Sequence, residues 1–283
     1  MDLTALSTRE MFRSFGTIGY IDMAMYLSDA PAKYFTKSIF PVEEINARAL
    51  KEKYLVTSNP CYGCPLGCGR LTHYDHHGVK QVDGPEYESA VALGPLCMNF
   101  DLDSLVYTTH QCNDYGLDTI SAGVCIAFAM YLYEKGVLTR DKAGMELKWG
   151  DSDAISSLLE KIALREGVGD LLAEGVKRMA EKLGVSQDEA AHVKGLEIPM
   201  HDPRAFFGDA VDYATAPRGA CHTKGDYYMV DMGRGVVEAE IVPGERFESS
   251  EGKGAMTARY QNLRDLYNSL PLCILSDVIS PDT

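Results

Sequence analysis

At 283 residues with 46% hydrophobic side chains, the chain can bury one large core or two moderate ones, so disorder is not expected. A net charge of −14, with no basic run interleaved with aromatics, opposes nucleic acid and anionic membrane surfaces as partners. The expected ligands are small. Asp2, Arg9, Glu10 and Arg13 precede any apolar run, unlike a signal peptide, and the longest uncharged apolar stretch, residues 119–133, is too short to span a bilayer. A cytoplasmic protein is expected, whose eight cysteines read as thiols or metal ligands rather than disulfides.

Residues 1–60 read as helix, connector, helix. Apolar residues at helical spacing follow the turn at 15–20, and a charged amphipathic segment, 42–54, leads into a cysteine turn. That turn, Cys61-Tyr62-Gly63-Cys64-Pro65-Leu66-Gly67-Cys68-Gly69-Arg70, has C-x2-C-x3-C spacing, and its small residues let the backbone curl around inorganic sulfide. A [4Fe-4S] cubane needs a fourth corner, for which the distant Cys273 is a candidate that spacing alone does not single out. Zinc would more usually bring a second C-x2-C pair or paired histidines, and a redox C-x-x-C leaves the third cysteine unexplained. Cluster, zinc and no metal stay open on these residues alone.

Segment 71–80 predicts two short strands joined at a glycine-containing turn. His73, His76 and His77 lie there without a second ligand group and read as solvated side chains. Helices are predicted at 103–116 and 121–136, each with a polar start and a glycine stop. Between them, Gly116, Leu117, Asp118, Thr119, Ile120 and Ser121 bring a carboxylate, two hydroxyls and a helix start together. The patch suits a polar heterocycle or an anion, or is a helix cap and nothing more. Cys97, Cys112 and Cys125 read as buried small hydrophobes. Residues 153–184 predict a helical hairpin, and the texture then turns Pro- and Gly-rich. We therefore expect a domain boundary near 191, dividing the chain into 1–191 and 192–283, with 233–254 a surface loop or hairpin. The fold class is mainly α, in multi-helix domains with short β-hairpins.

The cysteine turn, Gly84-Pro85-Glu86-Tyr87-Glu88, the 116–121 linker and Arg218-Gly219-Ala220-Cys221-His222 occur together in this order. Together they resemble the aldehyde:ferredoxin oxidoreductase family, tungsten or molybdenum enzymes that carry a bis-pterin metal centre beside one [4Fe-4S] cluster. The likeness runs from about residue 10 to Cys273 and implies the family's second domain with part of its third. The family's N-terminal β-rich domain has no counterpart here, which implies a fragment, a partner chain supplying that domain, or a degenerate relative. The resemblance places Cys61, Cys64, Cys68 and Cys273 at the cluster. Asn113, Gly116, Leu117 and Asp118 match the first pterin motif, Asp-x-x-Gly-Leu-Asp in its usual form. Asn268, Leu272 and Cys273 match the second, usually Asp-x-x-Gly-Leu-Cys. The leading aspartate is Asn in both motifs here, so one acceptor becomes a donor, and Pro271 replaces the second glycine, fixing φ and removing a donor.

Lys224 resembles a pterin-contacting lysine, and Glu86 and His222 resemble the polar residues beside the metal. The resemblance implies oxidation of a small aldehyde to a carboxylic acid. His222 would donate to the carbonyl oxygen, Glu86 would accept a proton, and electrons would pass through the cluster to ferredoxin. Three other outcomes stand beside it: an inactive truncated product with no cofactor, and two that keep a function. One is the active-site subunit of a low-potential reductase of the same family acting on aromatic acyl-thioesters; the other is a non-catalytic iron-sulfur electron-transfer subunit or fragment.

Overall fold

A computed structural model describes residues 8–270 and 272–275. Thirteen α-helices, six short 3-10 turns and five short strands make up the regular structure among them. Helices α1 (Thr8–Phe15), α2 (Ile21–Tyr26) and α3 (Ala47–Lys53) lead to a three-stranded antiparallel sheet in the order β1 (Val56–Ser58), β2 (Arg70–His76), β3 (Val79–Asp83). The expected hairpin is β2–β3. Its turn is His77-Gly78, at φ 53° and 76°, the left-handed geometry of a tight two-residue connection. The cysteine turn is the loop between β1 and β2, and the Ser58↔Arg70 pair closes its neck.

α4 (Tyr87–Leu93), α5 (Leu102–Tyr115) and α6 (Thr119–Glu134) form the centre of the molecule. α6 is apolar all round and buried on nearly every side, as a core helix must be. Asp101 and Asp118 cap α5 and α6 through their carboxylates, and Gly116 ends α5 at φ 67°. At the α4–α6 crossing a Cβ on Gly123 would lie 2.5 Å from the Ala92 carbonyl oxygen and 2.8 Å from the Ala92 Cβ. Gly123→Ala would gain about 1 kcal/mol of helix propensity. A backbone carbonyl cannot rotate aside, however, so overpacking outweighs that gain and a net loss of about 1–3 kcal/mol is expected. A lower urea midpoint with unchanged slope would show it; a higher midpoint would overturn it.

After α7 (Arg140–Ala143), the expected hairpin at 153–184 is three helices, α8 (Ser152–Leu164), α9 (Val168–Leu172) and α10 (Val176–Leu183). Arg165, Gly167 and Gly175, at φ 55°, 56° and 81°, break the run. β4 (His192–Val193) and β5 (Leu196–Glu197) form a small ladder. The large apolar core extends from Ile18 to Met200, and a second, small cluster holds Tyr227, Val230, Ile241 and Tyr260.

Beyond residue 200 the structure differs from the irregular chain expected there. It contains α11 (Phe207–Thr215), α12 (Tyr228–Asp231) and the 19-residue α13 (Glu251–Ser269). α13 escapes a hydrophobic-periodicity reading because its buried residues are Lys253, Thr257, Tyr260 and Arg264. Ion pairs replace apolar contacts: Lys253 Nζ lies 2.7 Å from Asp231, and Arg264 Nε lies 2.9 Å from Asp226. Residues 233–254 hold a 3-10 turn at Val237–Ala239 and the start of α13, so the expected surface loop ends at Ser250. No single helix among the described residues is long and apolar enough to cross a membrane.

Candidate active site

The cysteine loop is held from beneath. Leu66 is buried, Gly63 and Gly67 take φ 69° and 64°, and Cys64 N–H donates to the Cys61 carbonyl at 3.0 Å. Arg70, itself buried, donates from Nη1 to the Gly67 and Gly69 carbonyls, both at 2.7 Å. Its Nη2 reaches the Phe12 carbonyl at 2.8 Å and the Arg13 carbonyl, tying the loop to α1. Burial pushes the Cys68 thiol up, and Glu86, Cys273 and Cys64 add to the effect through their charges. Cys273, remote in sequence, is thus close enough to act on Cys68 through its charge. Its Sγ accepts the Leu275 N–H at 3.4 Å, and Arg264 Nη2 fastens the adjoining Ile274 carbonyl at 3.0 Å. Among the described residues no three His, Cys, Asp or Glu side chains converge on one ion-sized point. Thiols are soft donors, the ligand type that iron-sulfur clusters take.

Asp118 and Gly116 are exposed, and Leu117 is half-buried. Asp118 Oδ1 accepts the Ser121 N–H at 2.7 Å, so this carboxylate is a helix cap whatever else it binds. Asn113 is exposed and donates to the Asp83 carbonyl at 3.1 Å. Lys224 and Asn268 meet across another junction: Lys224 Nζ lies 3.1 Å from Asp265, and Asn268 Nδ2 donates to the Thr223 carbonyl at 3.4 Å. Leu272 is exposed, its N–H donating to the Tyr267 carbonyl at 3.2 Å. Pro271 lies outside the described residues.

Glu86 and His222 have different partners. Glu86 occupies the N-cap position of α4 and accepts the Thr17 hydroxyl, which in turn accepts the Tyr87 N–H at 2.8 Å. Burial pushes its pKa up, with Thr17 and Arg70 opposing, and it acts on Cys68, so it belongs to the cysteine side. The carboxylate facing His222 is Glu88. Its Oε1 lies 3.6 Å from His222 Nδ1 and 3.5 Å from His201 Nε2, while Oε2 accepts the Met200 N–H at 2.9 Å. Oε1 is buried with no hydrogen bond. Behind it, His201 Nδ1 meets Asp29 Oδ2 at 2.7 Å, and the Tyr20 hydroxyl donates to the same oxygen at 3.0 Å.

This line of buried groups is electrically poised. Burial, with Asp29 and Asp118, pushes Glu88 up to about 7 against the pull of His201 and the Met200 N–H. Burial also pulls His201 down, but Asp29, Glu88 and Asp209 outweigh it and raise the imidazole to about 9. His222 falls to about 3, through burial and the charges of His201 and Arg218, and is neutral at pH 7. Sequence reasoning missed Glu88 as the partner, although it lies in the quoted motif, and missed His201 and Asp29 entirely. These groups arrive from separate segments with no spacing in common.

The raised groups fix how stability should vary with pH. His201 contributes stability that is complete below its unfolded pKa of 6.5 and is lost as pH rises through about 9, about 3 kcal/mol in all. The raised Glu88 has the same sign, its contribution being lost as pH rises through about 7. His222 acts oppositely, but only below 6.5. The urea midpoint of the chain is therefore expected to fall between pH 7 and 9, and a midpoint that rises there would contradict the electrostatics described.

The family model for aldehyde ferredoxin oxidoreductase, domains 2 and 3, matches residues 3–282. The chain belongs to the aldehyde ferredoxin oxidoreductase family. The tungsten-containing aldehyde ferredoxin oxidoreductases of Thermococcus kodakarensis and Pyrococcus furiosus are each 39% identical to it over 249 residues, 87% of this chain and 40% of theirs. The chain thus spans about 40% of the length of these curated relatives. The WOR-like subunit of an aliphatic sulfonate oxidoreductase from Pyrococcus furiosus is 32% identical over 227 residues, 75% of this chain and 36% of its own. Among solved structures, the active-site complex BamBC of benzoyl coenzyme A reductase with 1,5-dienoyl-CoA superposes with a TM-score of 0.58 at 24% identity. That match covers 71% of this chain and 31% of the other, and shows the mainly helical fold.

The residues present fit the two groups the family implies. Cys61, Cys64, Cys68 and Cys273 are a thiolate donor set suited to iron and sulfide. Asp118 and Asn113 offer exposed acceptor oxygens beside the left-handed Gly116, a surface that suits the amino edge of a pterin.

Proposed function

We propose that the chain is the cluster- and pterin-binding part of a tungsten- or molybdenum-pterin oxidoreductase that converts a small aldehyde to its carboxylic acid. Electrons would leave through a [4Fe-4S] cluster to ferredoxin. The observation that carries this reading is the buried Glu88 Oε1, without a hydrogen bond and faced by two imidazoles.

Cys61, Cys64, Cys68 and Cys273 would hold the cluster, and Asn113, Gly116, Leu117, Asp118, Lys224, Asn268 and Leu272 the pterins. When bound, these groups supply the two-electron redox chemistry and its division into single-electron transfers. Aldehyde plus water gives acid, two electrons and two protons. A neutral His222 can donate a ring N–H to the aldehyde oxygen and so draw charge from the carbonyl carbon. Glu88, poised at about 7, is a base matched to working pH that takes one released proton at Oε1. Its Oε2 is held by the Met200 N–H at 2.9 Å, which leaves Oε1 as the oxygen free to take the proton. Eight free cysteines support a reducing, cytoplasmic setting.

Anaerobic purification, alone and together with a chain supplying the remaining length of the relatives, tests the reading. Tungsten or molybdenum with about four irons per chain, and aldehyde-dependent reduction of ferredoxin, are expected. Iron without the heavier metal and without aldehyde turnover would leave an electron-transfer subunit instead.

A further inference from the structure

We propose that His201 is a positioning residue for Glu88: clamped between Asp29 and Glu88, its imidazolium keeps the Glu88 carboxylate in the anionic, proton-accepting form. The inference rests on the reading of Glu88 as the proton acceptor and goes beyond it, because His201 lies one shell behind.

The geometry is that of a built site. His201 is buried, with Nδ1 2.7 Å from Asp29 Oδ2 and Nε2 3.5 Å from Glu88 Oε1. Its ring stacks on Tyr228 at 4.1 Å and lies 5.0 Å from Tyr87, while its carbonyl accepts the Tyr213 hydroxyl at 3.0 Å. Asp29 is fixed in turn, its carbonyl accepting the Asp202 N–H at 2.8 Å. These contacts hold the ring between the two carboxylates. Each packed element presents a group to this line: Tyr20 from the turn before α2, Asp29 after α2, Tyr87 and Glu88 from α4. Asp209 and Tyr213 come from α11, His222 from its 3-10 turn, and Tyr228 from α12.

Charge decides what His201 does there. Burial disfavours charge on an isolated imidazole and on an isolated carboxylate alike. Two carboxylates bracketing one imidazole reverse that for the ring, and the positive ring then offsets the burial of Glu88. Without the ring's charge, only the Met200 N–H would oppose burial and the Asp29 anion, and Glu88 would hold its proton at neutral pH. A protonated Glu88 cannot accept another.

Two measurements on the full chain, neither needing aldehyde, test this. In ¹⁵N-histidine NMR of the unaltered protein, both ring nitrogens of His201 should carry protons at pH 7.5; a neutral ring at that pH overturns the proposal whether or not any variant folds. In His201→Gln, the carboxyl carbon of ¹³C-labelled Glu88 should titrate at least about one pH unit higher, about tenfold in proton affinity. An unchanged or lower midpoint also overturns it. In the complete enzyme the acid limb of kcat/KM should move by the same amount. If both NMR results hold and the unaltered assembly oxidises no aldehyde, the aldehyde reading fails and the role of His201 stands.

Discussion

Glu88→Gln in the complete assembly is expected to lower kcat for aldehyde oxidation by about 10²–10⁴-fold, the usual worth of a positioned general base. Glutamine keeps the volume and can still accept the Met200 N–H, so the backbone at Met200 stays where it is. What it loses is the ability to take a proton at the oxygen between the two imidazoles. KM should change little, because the proton is transferred on the way to the transition state rather than held in the ground state. Glu86→Gln supplies the contrast. Its carboxylate is engaged by Thr17 and faces the cysteine side, so turnover should fall less than about tenfold. If Glu86→Gln proved as damaging as Glu88→Gln, the assignment of the base to the carboxylate facing His222 would be wrong.

The contrast between these two glutamates shows where sequence reasoning reached and where it stopped. Both lie in one five-residue motif, and a helix start separates their directions: Glu86 precedes α4, whereas Glu88 lies in its first turn and points to His201 and His222. Spacing cannot show that, because the partners come from loops more than a hundred residues away. The cysteine loop was legible because Gly, Pro and Cys at short spacing dictate a tight turn on their own. α5 and α6 were legible from their caps and glycine stops, and Asp118 does cap α6. α13 was hidden because its buried face is cationic and matched by Asp226 and Asp231, a pairing that apolar periodicity cannot register. Asp29 and His201 were hidden for the same reason.

Arg70→Met is expected to empty the cysteine loop of iron and to destabilise the chain by about 1–3 kcal/mol or more, the cost of leaving buried acceptors without their donor. A single guanidinium satisfies carbonyls from two segments that do not otherwise share a strand or helix: Gly67 and Gly69 in the loop, Phe12 and Arg13 at the end of α1. Methionine fills a similar volume and donates nothing, leaving these acceptors without their donors, at about 1–3 kcal/mol for each that stays buried. The neighbouring contacts leave little room for the loop to collapse, since a Cβ on Gly16 would already lie 2.8 Å from the Cys68 carbonyl oxygen. Arg70→Lys keeps the charge but replaces a rigid fork of five donors by one ammonium, so an intermediate loss is expected. Cys68→Ser separates the two effects: it should remove the iron while the urea midpoint of the iron-free chain moves far less than in Arg70→Met. Iron content and denaturation of the three variants decide the matter. Full iron in Arg70→Met would mean that the loop holds its shape without the guanidinium, and that the thiols alone organise the site.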